Sequence, residues 1–341
     1  MMKKLEFGIT TFVETVPNPS TGKTISQDQR IQQIIEEIVL AEKVGLSFYG
    51  VGEHHRREFA ASAPAVILAT AAGLTKTIKL GSSVTVLSSD DPVRVYQQFA
   101  TLNALSHGRA EITAGRGSFI ESFPLFGYDL NDYDALFEEK LDLLLYIRDH
   151  EIVSHSGNFR PSIDHLGVYP RTNYPLWIAR GVGGSPESVI RAAELGIPLF
   201  LAIIGGDPYR FKAYTDLYRK HYQPSKLHPT PFIAVHFHGY LTHDNQELQT
   251  IFFPSIVTLI NTIGKERGWG PYTYQSFFDN LSEHGALFAG TPDHVAKKID
   301  RVMSALGAHR FTMHVPVGFM EHNYVLQTIK LLGTEVRPFF E

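Results

Sequence analysis

One unit of punctuation recurs along this chain and limits what it can fold into: a glycine, a short apolar run, then a capping residue followed by proline. Gly45, Gly73, Gly108, Gly196 and Gly307 each stand just before a strand-like run, where a helix that ends in a left-handed residue favours glycine. After the runs come Asp91-Pro92, Ser185-Pro186, Asp207-Pro208 and Thr291-Pro292. Each reads as an N-cap with proline at the first helical position. The unit is fullest over 81–117, GSSVTVLSSDDPVRVYQQFATLNALSHGRAEITAGRG. It reads as strand, turn, capped helix, Gly108 stop, strand and Gly115-Arg116-Gly117. A cation between two glycines at the carboxyl end of a strand suits an anionic group, so the ligand is expected to carry phosphate.

Eight strands are expected, near 5–11, 47–53, 79–87, 109–115, 175–180, 197–204, 231–239 and 310–315, with helices between nearly all of them. That rhythm is the size and order of an α/β (β/α)8 TIM barrel. A doubly wound sheet is the alternative, but no G-x-G-x-x-G follows the first strand. The first long helix carries a capping box, Ser26 with Gln29, and an apolar face of Ile31, Ile34, Ile35, Ile38 and Val39. The chain is expected to be a single domain over 1–341 with insertions after strands 4 and 7. Residues 151–174 show little regular pattern. Residues 240–290, rich in aromatics and glycine, are expected to lie over the barrel mouth as a lid. Tyr272, Tyr274, Phe277 and Phe278 there read as loop packing rather than a stacking platform.

Composition excludes several classes of function. The net charge of −4 leaves no basic excess for nucleic acid. The chain has no cysteine, which removes disulfides, thiolate catalysis, Fe–S clusters and Cys-bound zinc. The amino terminus lacks the apolar core of a signal peptide, and the longest apolar run, near 199–204, is too short for a bilayer. A cytoplasmic protein fits these features.

Candidate site residues lie at strand ends. Only one histidine of Glu53-His54-His55 can face the barrel axis, and it is a candidate acid/base or substrate contact. It can equally be a rim histidine bonded to backbone. Arg116 suits a phosphate or ring carbonyl; otherwise it pairs with a carboxylate such as Glu121. Gly181-Val182-Gly183-Gly184-Ser185-Pro186-Glu187-Ser188 opens a helix whose amino terminus, glycines and hydroxyls can cradle an anion, or it is an ordinary helix cap. His236 and His238 share a face. With Glu53, His54 and His314 they could ligate a metal in a hydrolase, although satisfied pocket histidines are the plainer reading.

GVGEHH (50–55), LGSSVTVLSSDDPVR (80–94), LSHGRAEITAGRGSF (105–119) and GGSPES (183–188) together resemble the luciferase-like monooxygenase family, across nearly the whole chain. The resemblance implies an FMN site at the carboxyl end of the barrel. Arg116, Ser185 and Ser188, with Gly183 and Gly184, match its phosphate-binding positions. His54 matches the catalytic histidine of bacterial luciferase. Ser83–Val84 matches a place where members often have a non-proline cis peptide against which the flavin packs. One departure is Gly115, where luciferase has a reactive cysteine.

The function implied is a two-component monooxygenase. Reduced FMN from a separate flavin reductase, with O2, would oxidise a small organic substrate, the protein orienting the cofactor and excluding water. A homodimer is implied too. Alternatives are a deazaflavin (F420)-dependent dehydrogenase of the same superfamily, the metal-dependent hydrolase, and a non-catalytic flavin-binding protein.

Overall fold

The computed structural model describes residues 5–117, 119–266 and 268–341. Residues 1–4, Ser118 of the Gly-Arg-Gly-Ser-Phe motif and Arg267 lie outside them. Eight parallel strands close into a barrel: β1 (Glu6–Thr11), β2 (Phe48–Val51), β3 (Lys79–Ser82), β4 (Ala110–Gly115), β5 (Trp177–Val182), β6 (Leu199–Ala202), β7 (Ile233–Leu241) and β8 (Arg310–His314). Each pairs with the next, and β8 returns to β1 with Glu6 opposite Arg310 and Thr10 opposite His314. The main helices are α1 (Gln27–Lys43), α2 (Pro64–Leu74), α3 (Pro92–Leu105), α4 (Tyr133–Asp149), α5 (Pro186–Glu194), α6 (Lys212–His221), α7 (Pro292–Leu306) and α8 (His322–Leu331). The expected (β/α)8 barrel is the fold observed.

The punctuation works as read except at Gly73 and at Thr291, which stands at the amino end of α7 but makes no side-chain cap hydrogen bond. Asp91 caps α3 by accepting from Val93 and Arg94 N–H at 2.8 and 3.2 Å, and Ser26 accepts from Gln29 N–H at 3.1 Å. Gly45, Gly108, Gly196 and Gly307 take positive φ. Gly73 does not, because α2 runs through it to Leu74 and stops at an extended Thr75. On α1 the buried face is Ile34, Ile38 and Ala41; Val39 is exposed.

Three elements were not legible. The expected strand over 79–87 is two pieces, β3 and a short Thr85–Val86 strand on β4, with the Ser83–Val84 peptide between them in the cis form that the resemblance implies. The 151–174 insertion holds an antiparallel hairpin, Ile152–His155 with Ile163–Gly167. The 240–290 insertion holds helices Phe253–Glu266 and Tyr274–Leu281, then strand Leu287–Gly290 beside the upper half of β7. Phe252, Ile256, Leu259 and Phe277 of this segment pack with Phe59, Tyr240 and Val317 over the mouth. Among the described residues no helix is long and apolar enough to cross a membrane.

The barrel interior is filled from the bottom. Phe48 is fully buried, and a Cβ on Gly8 or Gly81 would come within 2.9 or 2.5 Å of its side chain. Below it lies Arg310, also fully buried. Its guanidinium stacks on Phe48 at 4.4 Å, donates to Glu111 at 2.6 and 3.0 Å, and donates to Glu6 at 2.8 Å. Arg310→Ala leaves Glu111 buried without this cation. The expected loss is about 3–5 kcal/mol in urea unfolding. A loss below ~1 kcal/mol would mean that Lys79, 3.8 Å from Glu111, suffices as counter-ion.

Candidate functional site

Above Phe48 the strand ends converge on histidines and hydroxyls. His54 is 8% exposed. Its ring lies 4.4 Å from Phe12, 4.5 Å from Phe59 and 5.0 Å from Phe119, centroid to centroid. Burial, and then the charges of His314, His55 and Arg56, push its pKa down to about 3. His54 is therefore neutral at ordinary pH and can accept a proton but holds none in store. His55 turns the other way, to Glu53 at 2.8 Å. The second oxygen of Glu53 accepts the Val86 N–H at 2.9 Å. This carboxylate fixes the chain just beyond Ser83–Val84.

Thr10, at the end of β1, was missed in the sequence. Its hydroxyl lies 3.0 Å from His236 Nδ1 and 3.5 Å from His314 Nδ1. One hydroxyl proton serves one acceptor, so Thr10 can donate to His236 while accepting from His314. The other nitrogen of His314 meets Glu14 at 2.7 Å, and Glu14 also accepts from Thr11 at 3.0 Å. Burial depresses His236 far below the usual imidazole range and His238 to about 3, with the His314 charge adding in both cases. His238 Nδ1 and Ser83 Oγ are buried without a hydrogen-bond partner. In polar interiors such atoms mark where a ligand or water belongs.

The five residues of the hydrolase alternative do not form a metal site. Glu53 is spent on His55 and Val86, and among the described residues no three His, Cys, Asp or Glu side chains group to hold a metal.

The phosphate candidates lie beside β4 and β5. Arg116 does not pair with Glu121 as the plain reading had it. Its Nη1 donates to Asp134 at 2.5 Å and its guanidinium lies over Tyr133 at 5.3 Å, while Glu121 faces Arg56. Ser185 caps α5, accepting the Ser188 N–H at 3.3 Å and donating to Glu187 at 2.8 Å. Gly183 is open, with nothing within 4 Å of a Cβ built there, and Gly184 has φ +132°. Arg180 was missed, though it is another cation before a glycine at a strand end. It is 2% exposed, bound to Glu138 and stacked on Phe137, and it donates to Ser188 Oγ at 3.2 Å. Its Nε is buried without a partner. Asp134 and Glu138 sit one turn apart on α4, which brings Arg116, Arg180 and Ser188 to one corner.

Gly115 has a steric reason. A Cβ there would come 2.5 Å from Val84 Cγ2, so the cysteine of luciferase has no room in this packing. A separate cleft of about 560 Å³, bordered by Tyr96, Arg171, Pro175 and Lys226, lies at the opposite end of the barrel, before β5 and β7 begin. None of the histidines reaches it.

Neutral buried histidines make stability fall with acid. The unfolded chain protonates His54, His236 and His238 near pH 6.5, whereas in the folded chain burial holds His54 and His238 neutral down to about pH 3 and keeps His236 well below its ordinary range. Their contribution is full above pH 6.5 and lost on the way down, by about 1–2 kcal/mol each at pH 5 for His54 and His238. His322, whose pKa is raised by Glu37 and Glu36 against its burial, acts in the opposite sense only above pH 6.5. Urea unfolding at pH 7 and pH 5 should show the drop, and the imidazole NMR signals of His54, His236 and His238 in the folded protein should stay neutral at pH 5. An unfolding free energy equal at both pH values would contradict the assignment.

Comparison with known proteins agrees with this geometry. The family model for luciferase-like monooxygenases matches residues 5–310. N-acetyl-S-alkylcysteine monooxygenase of Bacillus subtilis is 26% identical over 307 residues, covering 84% of this chain and 87% of that protein. An uncharacterized protein, y4vJ, of Sinorhizobium fredii is 31% identical over 178 residues; the match spans 51% of this chain and only 50% of that relative's length. In fold, monooxygenase RslO1 of Streptomyces bottropensis superposes with a TM-score of 0.83 at 20% identity, covering 99% and 100% of the two chains. The oxygenating constituent of 3,6-diketocamphane monooxygenase from Pseudomonas putida, in complex with FMN, gives 0.76 at 18% identity, covering 98% and 99%. An F420-dependent secondary alcohol dehydrogenase gives 0.72 at 17% identity, covering 99% and 100%. The chain belongs to the luciferase-like monooxygenase family.

Proposed function

We propose that this chain is the oxygenating component of a two-component system, taking reduced FMN from a separate reductase and oxidising a small organic substrate. The observation that carries the reading is the corner where Arg116, Arg180, Ser188 and the amino terminus of α5 meet, beside Ser83–Val84. The fit to FMN rests on three features: the open Gly183-Gly184 cradle, the partnerless buried Nε of Arg180, and the partnerless Ser83 Oγ. A phosphate suits the first two, because helix amino termini and guanidinium groups favour anions. FMN is preferred to F420 because the relatives in sequence are named monooxygenases; the FMN complex and the F420-dependent enzyme are both likenesses of fold.

In this reading Arg116, Ser188 and the α5 N–H groups hold the phosphate, and Ser185 orders the turn as its cap. Reduced FMN supplies two electrons; one atom of O2 enters the substrate and the other leaves as water. Phe12, Phe59 and Phe119 keep water from His54, whose neutral ring faces the substrate as a hydrogen-bond donor and acceptor and relays a proton without holding the charge. The 253–281 helices close the mouth.

Two measurements test this. FMN should bind more tightly than riboflavin, and Arg116→Ala should weaken FMN by about 1.5–3 kcal/mol while leaving riboflavin unchanged. Equal affinities in the wild type would remove the phosphate assignment. For the reaction, N-acetyl-S-alkylcysteines are a first substrate panel, supplied with NADH, FMN and a flavin reductase under 18O2. Label in the product, dependent on reduced flavin, is expected. Product that carries only solvent oxygen would overturn the oxygenase reading.

A further inference from the structure

We propose that Asp134 and Glu187 are built-in competitors of the cofactor phosphate, and that they keep its affinity low enough for the flavin to come and go. The inference rests on the phosphate assignment above. Each half of the cradle is now held by one of the protein's own carboxylates. Asp134 takes Arg116 at 2.5 Å. Glu187 takes the Ser185 hydroxyl at 2.8 Å. The Glu187 carboxylate is held below the usual range by its own backbone N–H first and by Ser185 second, so it occupies one of the N–H donors that an anion would use.

These two carboxylates can yield, and Glu138 cannot. Asp134 is 75% exposed and Arg116 30%; Glu187 is exposed too. Such pairs are held weakly and exchange with other anions at little cost. Glu138 instead neutralises Arg180, which is 2% exposed, and removing that carboxylate would strand a buried charge. The contact over the Tyr133 ring keeps the Arg116 guanidinium in place whichever anion it meets. An incoming phosphate must therefore either displace Asp134 and Glu187 or share their donors against like charge. Both routes lower affinity at the phosphate end alone.

The test is a fluorescence titration of oxidised FMN and of riboflavin with the full chain at low ionic strength. Asp134→Asn should bind FMN roughly two- to fivefold more tightly, the scale of an exposed ion pair. Glu187→Gln should act in the same direction. Riboflavin affinity should not move. A purely structural role for Asp134, which also lies in the first turn of α4, would lower thermal stability and leave the FMN-to-riboflavin ratio unchanged. Asp134→Ser serves as the second variant should the amide distort the turn. Two outcomes are distinguishable failures. If wild type binds FMN and riboflavin equally, the phosphate assignment falls and this inference with it. If wild type prefers FMN but Asp134→Asn and Asp134→Ser bind it no better or worse, this inference alone is overturned.

Discussion

The Arg310 guanidinium between Glu111 and Glu6 is the interaction on which the rest of the barrel is referenced. It ties β8 to β4 and to β1 at the amino-terminal end. A buried charge of this kind tolerates few other registers, because a slipped strand would leave it unpaired. Phe48 lies directly on it, with glycines on neighbouring strands clearing its ring. The lower half of the barrel is thus solid. Inside the barrel, room is left in the carboxyl half, where the strand ends carry hydroxyls, histidines and glycines.

Within that upper half two chemistries are kept apart. The histidine corner of His54, His236, His238 and His314 is apolar-walled and mostly buried. The arginine corner at α4 and α5 is partly open to water, and its cations are matched by carboxylates one helical turn apart. The Ser83–Val84 turn lies between these regions. Glu53 fixes it through the Val86 N–H, and Gly115 and Gly181 leave space for the Val84 side chain. A planar group resting there would reach the arginine corner with one end and the histidine corner with the other.

The fold was largely legible because local chemistry announces much of it: left-handed glycines stand before β2, β4, β6 and β8, and capped prolines follow β3, β5 and β6. These signals act within a few residues. What escaped depends on distant partners. Thr85–Val86 is a strand only because β4 lies beside it, and Leu287–Gly290 only because β7 extends past its barrel neighbours. The site divides in the same way. Arg116, His54 and the 183–188 turn stand out by type and by position at strand ends. Nothing in the sequence says that Arg116 meets Asp134 rather than Glu121, since both lie in the same following segment. Thr10 has no signature beyond ending a strand. Arg180 did carry one, the same cation-before-glycine arrangement that marked Arg116.

The neutrality of His54, His236 and His238 has a consequence for the inventory of protons in the chamber. Imidazoles that cannot hold a charge can relay a proton but cannot store one, and the Thr10 hydroxyl has only a single hydrogen to pass. The Glu14 carboxylate is already shared between His314 and Thr11. A turnover that consumes a proton therefore cannot take it from these three rings. Where solvent supplies it, the passage of water past Phe252, Ile256 and Phe277 becomes part of the chemistry, and a solvent hydrogen isotope effect reports on that access as much as on bond making.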